Sequence, residues 1–215
     1  MIMSKYNCVI FDLDGTLMDT SIGVLKSVDY TIDKMNLKQL PENELRTFIG
    51  PPIQNSFRSK FNLNDDDTNK AAAMFRQAYK DKFLYDAEIF AGMIELLSHL
   101  KQNNILTMVA TYKREDYTMM LLEHFGLSKY FDFIKGSDME GKLTKADIVN
   151  LCIDRSGLDR DQIVLIGDTV HDAIGAKKAG IDFIAVTYGF GFRKGDIVDD
   201  SVGIFDSISD LQEQL

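Results

Sequence analysis

Six residues of this sequence have the types and the spacing to do chemistry together. Asp12 and Asp14 stand one residue apart, directly after the apolar run Cys8-Val9-Ile10-Phe11. Thr111 follows a second apolar run, Leu106-Thr107-Met108-Val109-Ala110. Asp168 follows a third, Ile163-Val164-Leu165-Ile166-Gly167, with Asp172 four residues on. Lys145 opens a helical stretch after Thr144. Carboxylates as close as Asp12 and Asp14 repel unless they share a cation or a proton. Clustered carboxylates are hard oxygen ligands and suit Mg²⁺ better than zinc, and no His or Cys ligand spacing competes. An ammonium and a hydroxyl beside such a metal would hold a phosphate dianion, and an Asp is a candidate covalent nucleophile. Taken singly, Asp12 to Gly15 reads equally well as a solvated turn, and Lys145 as a solvated helix residue.

Convergence of these residues depends on the elements that carry them. The apolar runs read as buried parallel strands, and each is followed by a segment with helical spacing. Strands are expected at 8–11, 105–110, 131–134, 163–166 and 183–186. Helices are expected between them at 92–102, 115–125, 144–155 and 172–179, with a last one near 207–214. This alternation predicts an α/β fold, a Rossmann-like doubly wound parallel sheet. All carboxyl ends of such a sheet lie on one edge, where open α/β sheets place their ligands. Gly15 supplies the positive φ that a sharp exit from the first strand needs.

The stretch 17–84 breaks the alternation. It reads as all helix with no strand: a helix from Thr20 or Ser21, a short one after Pro41, a firm break at Gly50-Pro51-Pro52, and a helix over 53–61. Asn64 then caps a helix that continues to Leu84. Asp65-Asp66-Asp67 reads as first-turn acids complementing the helix dipole, because adjacent helical positions do not face one site. The expected division is a core of residues 1–16 and 85–215 with a small inserted all-helical cap domain, 17–84.

Composition bounds the partners. The chain has 215 residues, 45% of them hydrophobic, a net charge of -9 and a pI near 4.8. That balance argues against nucleic acid and against an acidic membrane surface. Cys8 and Cys152 are the two cysteines, and they read as free thiols of a reducing compartment. The first ten residues are too short and polar for a signal peptide, and no apolar run approaches the ~20 residues of a membrane span. A cytoplasmic monomer or homodimer is expected. His99, His124 and His171 read as structural or surface groups, and the ten methionines as fillers of core gaps.

Beyond these readings, four motifs in order resemble the haloacid dehalogenase superfamily, in its phosphoglycolate-phosphatase-like branch. Asp12-Leu13-Asp14-Gly15-Thr16 is similar to the first motif, Thr111 at the end of its run to the second, Lys145 to the third, and Gly167-Asp168-Thr169-Val170-His171-Asp172 to the fourth. Phe48-Ile49-Gly50-Pro51-Pro52 and Tyr188-Gly189-Phe190-Gly191 also resemble that branch. Tyr112 departs from it: a small or amide residue often stands there, and the ring would narrow the pocket. Lys142 and Lys145 both lie near the third motif, and Lys145 is preferred because it starts the helix.

The resemblance implies a Mg²⁺-dependent phosphatase of small phosphate monoesters. Asp12 would attack phosphorus and become an aspartyl phosphate. Asp14 would protonate the leaving alcohol and then deprotonate water. Mg²⁺ would be held by the Asp12 carboxylate, the Asp14 backbone carbonyl and Asp168. Asp172 and Thr16 would support these ligands from behind, and Thr111 and Lys145 would hold the phosphoryl oxygens. Arg46, Arg58 and Lys113 are candidates for the anionic substrate, a small phosphorylated metabolite such as phosphoglycolate, a nucleotide or a sugar phosphate. A phosphomutase of the β-phosphoglucomutase type shares every motif. A phospho-accepting receiver domain shares the residue types but is shorter and lacks the helical insertion. A dehalogenase is disfavoured by Asp14 and Thr16.

Overall fold

A computed structural model of the chain describes residues 5–139 and 141–215. In chain order the elements are β1 (Cys8–Phe11), β2 (Met18–Asp19), α1 (Ser21–Lys34), α2 (Glu42–Leu45), α3 (Ile53–Phe61), α4 (Asp65–Ala78), β3 (Glu88–Ile89), α5 (Met93–Gln102) and β4 (Leu106–Arg114). They continue with α6 (Glu115–His124), β5 (Phe133–Ser137), α7 (Lys145–Ser156), β6 (Ile163–Gly167), α8 (Val170–Ala179), β7 (Asp182–Val186), β8 (Ser201–Phe205) and α9 (Ile208–Gln214).

The chain divides into two compact units. One, Met1–Asp19 with Ile89–Leu215, holds a six-stranded sheet in the order β5-β4-β1-β6-β7-β8, with every described pairing parallel. From β1 the chain fills one side through β4 and β5, then crosses back to fill the other through β6, β7 and β8. This is the doubly wound α/β fold, and β1 at its centre is the switch point where such sheets open a crevice. The expected 1–16 segment includes residues 1–4, which lie outside the described residues.

Central position explains the composition of β1. All four of its residues are fully buried, because neighbouring strands flank it and helices cover both faces. Cys8 and Ile10 join Ile148, Cys152, Ala176 and Ala179 in the apolar layer under α7 and α8. Cys8 and Cys152 are both buried free thiols there, and burial pushes each up to about 12. On the other face Phe11 meets Phe131 edge-on at 6.4 Å.

The second unit, Thr20–Glu88, is helical. Its centre is aromatic: Phe48 and Phe57 lie 5.1 Å apart, and Phe75 stacks on Tyr79 at 5.8 Å. Asn64 caps α4 by accepting from Asp67 N at 2.8 Å, with Asp65, Asp66 and Asp67 in the first turn. Two expectations need correction. The helix drawn through to Leu84 changes to a π-helical turn over Tyr79–Phe83. Met18–Asp19, inside the stretch read as strand-free, pairs with Glu88–Ile89 in a two-stranded ribbon. Strands of two residues are too short to show any period. Among the described residues no helix is long and apolar enough to cross a membrane.

Candidate active site

The register of the sheet brings the sequence-separated residues level. Phe11 pairs with Val109 on one side and Ile166 on the other. Asp12, the next residue, therefore leaves the sheet beside Ala110 and Gly167, and Thr111 and Asp168 follow one step later. Asp12 N still donates to Ile166 O at 2.9 Å, which ties the exit to β6. The turn beyond gathers on one carbonyl: Leu17 N and Met18 N both donate to Leu13 O, at 3.0 and 3.1 Å. Gly15 has φ 82°, and a Cβ there would overlap the Asp168 carboxylate. Glycine is required on both counts.

Asp12, Lys145, Asp168 and Asp172 form one buried cluster. Lys145 Nζ lies 2.7 Å from Asp12 Oδ1 and 2.5 Å from Asp172 Oδ1. One carboxylate oxygen each from Asp12, Asp168 and Asp172 lies within 4.8 Å of the others. Burial disfavours ionised carboxylates, and each neighbour adds repulsion. Asp12 is accordingly pushed up to about 7 by burial, against the pull of Lys145 and with Asp172 and Asp14 adding to the rise. Asp168 is pushed up to about 8 by burial, then by Asp172 and Asp12. Burial alone would lower Lys145, but Asp12 and Asp172 outweigh it and hold the ammonium well above the usual lysine range.

This donor set fits a hard divalent cation. Three carboxylates share one ammonium in a buried site, so ionising all three would leave two negative charges uncompensated. Asp168 Oδ1 is buried without a hydrogen-bond partner among the described residues, while its Oδ2 accepts from Phe190 N at 2.7 Å and Gly191 N at 3.2 Å. Asp172 has both oxygens engaged, Oδ1 by Lys145 and Oδ2 by Thr169 N and Oγ1. Asp172 thus closes the capping box of α8 and holds Lys145, which leaves Asp168 Oδ1 as the buried carboxylate oxygen of the cluster without a hydrogen-bond partner among the described residues.

Asp14 turns elsewhere. Its two oxygens lie 2.8 and 3.0 Å from Lys113 Nζ. Lys113, read from sequence as a candidate for the substrate, is thereby placed on the Asp14 carboxylate. An irregularity in β4 makes this possible. Between the pairs Ala110–Lys135 and Arg114–Ser137, β4 advances four residues while β5 advances two. The excess length lies in Thr111-Tyr112-Lys113, and such bulges re-aim side chains. Thr111 is buried, and its Oγ1 accepts from Lys113 N at 3.2 Å. The strand expected to stop at 110 therefore continues to Arg114.

Other expected residues are placed as follows. Thr16 is buried, and its carbonyl accepts from Tyr188 Oη at 3.2 Å. Arg46 and Arg58 lie in the helical unit and are paired there, with Glu42 at 2.8 Å and with Asp65. Lys142 donates its backbone N–H to Asp138, whereas Lys145 reaches the carboxylates. Tyr112 is half-buried, and its hydroxyl accepts from Lys145 N at 2.9 Å. Sequence reasoning missed the backbone donors of Phe190 and Gly191. The glycines around them were the available signal: a Cβ on Gly189 would overlap Gly15 O and Asp168, and one on Gly191 would lie 2.5 Å from Asp168 O.

The sequence and the fold are similar to those of known proteins. The family model of the haloacid dehalogenase-like hydrolases matches residues 9–186. A 5′-nucleotidase of Pseudomonas aeruginosa is 31% identical over 87% of this chain and 85% of its own length. A phosphoglycolate phosphatase of Agrobacterium fabrum is 29% identical over 84% of this chain and 80% of its own length. The solved structure of a haloacid dehalogenase-like family hydrolase from Streptococcus pneumoniae superposes with a TM-score of 0.90 at 30% identity, covering 97% of this chain and 98% of that one. The chain belongs to the haloacid dehalogenase-like hydrolases, in the phosphatase branch that includes the phosphoglycolate phosphatases.

Proposed function

We propose that the protein hydrolyses small phosphate monoesters with Mg²⁺ through an aspartyl phosphate on Asp12. The observation that carries this reading is the buried cluster of Asp12, Asp168 and Asp172 around a single ammonium. Asp12, Asp168 and the backbone carbonyl of Asp14 would hold the ion. Bound there, Mg²⁺ would offset the charge of the carboxylates and of the phosphoryl oxygens.

The chain's own residues then divide the work. Lys145 favours the ionised form of Asp12 and holds it to one side, and its ammonium with the Thr111 hydroxyl takes the phosphoryl oxygens. The Asp12 carboxylate attacks phosphorus as the ester oxygen leaves. Asp14 gives that oxygen a proton, then takes one from the water that cleaves the acyl phosphate. Asp172 supports Lys145, and Thr16 supports the turn. The inserted helical unit is assigned substrate selection, with Arg46 and Arg58 as its candidate cations. The acidic balance and reduced thiols fit a cytoplasmic protein acting on a small phosphorylated metabolite.

The test separates the two aspartates. Asp12→Asn is expected to abolish transfer, because an amide is no nucleophile. Asp14→Asn is expected to slow aliphatic esters severely, by about 10²–10⁴-fold, because the alcohol leaves unprotonated. With an aryl phosphate the first step survives and the second lacks its base. Rapid mixing and acid quench should then give a burst of phenol and a protein carrying one phosphoryl group on Asp12. No burst and no adduct, with both variants equally dead on both esters, would make the carboxylates one metal site and end this division of labour.

A further inference from the structure

We propose that Tyr112 is a positioning residue for Lys145, fixing the ammonium that the catalytic cluster depends on. The proposal rests on the reading of Lys145 as a phosphoryl ligand and extends it to a side chain that has no role in that reading. Lys145 is the first residue of α7, so its backbone N–H has no partner within the helix. Thr144 accepts from Asp147 N, three positions on, and leaves the Lys145 N–H to another acceptor. The Tyr112 hydroxyl takes it at 2.9 Å.

The rest of Lys145 is held along its length. Its stem crosses α8 at Gly175, where an added Cβ would sit 2.6 Å from Lys145 Cγ. Its Nζ ends between Asp12 and Asp172, 6.0 Å from the centre of the Tyr112 ring. The same ring meets His171 edge-on at 5.8 Å, inside the segment that carries Asp168 and Asp172. One side chain thus touches the start of α7 and the first turn of α8. A tyrosine can do this from β4 because the excess length at 111–113 turns it toward α7. With a small residue at 112 the Lys145 N–H would have no side-chain acceptor on β4, and the start of α7 would be set by its own cap.

The experiment is a double-mutant cycle read by phosphate binding. Tyr112→Phe, isosteric apart from the oxygen, and Lys145→Met are made singly and together. Calorimetry measures the affinity for inorganic phosphate with Mg²⁺ present, and thermal melting confirms that each variant is folded. Tyr112→Phe should weaken phosphate binding about fivefold, the size of one hydrogen bond, and by nothing further in the Lys145→Met background. The same fivefold loss in both backgrounds, or no loss beside an intact Lys145, overturns the proposal. If Lys145→Met by itself binds phosphate as tightly as the parent, the reading of Lys145 fails and this inference fails with it. A loss confined to Lys145→Met sinks Tyr112 alone.

Discussion

At the scale of single residues, the cation on Asp14 is the least expected feature. Lys113 Nζ bonds both oxygens of Asp14, and the two side chains are only 7% and 20% exposed. A charge-assisted pair this well enclosed fixes the carboxylate's direction. Sequence alone suggested Lys113 as a ligand for an anionic substrate, and the two roles separate in kinetics. If Lys113 orients Asp14, Lys113→Met lowers kcat for aliphatic phosphate esters by about 10-fold or more, in line with losing a hydrogen bond between charged groups. It then affects an ester with a second carboxylate no more than one without. If KM rises only for the carboxylate-bearing ester and kcat holds, Lys113 belongs to the substrate.

At the scale of elements, the loop 188–192 is the clamp on Asp168. Gly189 lies where a side chain would strike Gly15 O and Asp168, and the next two N–H groups bind Asp168 Oδ2. Gly189→Ala should push this loop off the carboxylate. Outer hydrogen bonds to a metal ligand are typically worth 10–100-fold in metal affinity. A loss of that size in a Mg²⁺ titration of thermal stability is expected, with the far-ultraviolet circular dichroism of the parent retained. Unchanged Mg²⁺ affinity in Gly189→Ala would show that the loop does not orient Asp168. The donors of this clamp were not legible in the sequence, because a backbone N–H has no residue type; only the glycines at 189 and 191 marked the close approach. The four buried strands β1, β4, β6 and β7 were legible as apolar runs, and with them the level at which Asp12 and Asp168 leave the sheet near Thr111. Strand β8 was not, because Ser201-Val202-Gly203-Ile204-Phe205 is a half-exposed edge with a glycine at its centre. Lys145 was legible at the start of its helix, since Thr144 with Asp147 is a capping box. Its partner Tyr112 and the Lys113–Asp14 pair were not, because both depend on excess length in β4 that no local pattern announces.

At the scale of the whole molecule, the site sets how stability depends on pH. Asp12 and Asp168 are pushed up to about 7 and about 8, each first by burial, from the ordinary 3.8 that they regain on unfolding. Between about pH 4 and pH 8 the folded chain therefore holds more protons than the unfolded one, and stability falls as pH rises. This stabilisation is complete below the unfolded value and is lost through the folded ones. The carboxylates that lie below their usual range, Asp147, Asp182 and Asp206, act below this window and do not oppose it. A bound divalent cation would remove the slope, because it favours the ionised carboxylates directly. In excess chelator the melting temperature should thus drop from pH 5 to pH 8, and Mg²⁺ should raise it more at pH 8 than at pH 5. Asp168→Asn, close in shape but uncharged, provides the control. It should melt higher than the parent at pH 8 without metal, show a shallower pH slope, and respond weakly to Mg²⁺. Sodium chloride at matched ionic strength screens the net charge of -9 without filling the site, so it should not reproduce the Mg²⁺ effect. A chelated protein whose melting temperature rises from pH 5 to pH 8, or an Asp168→Asn variant as Mg²⁺-responsive as the parent, would remove the buried carboxylates as the origin of the linkage.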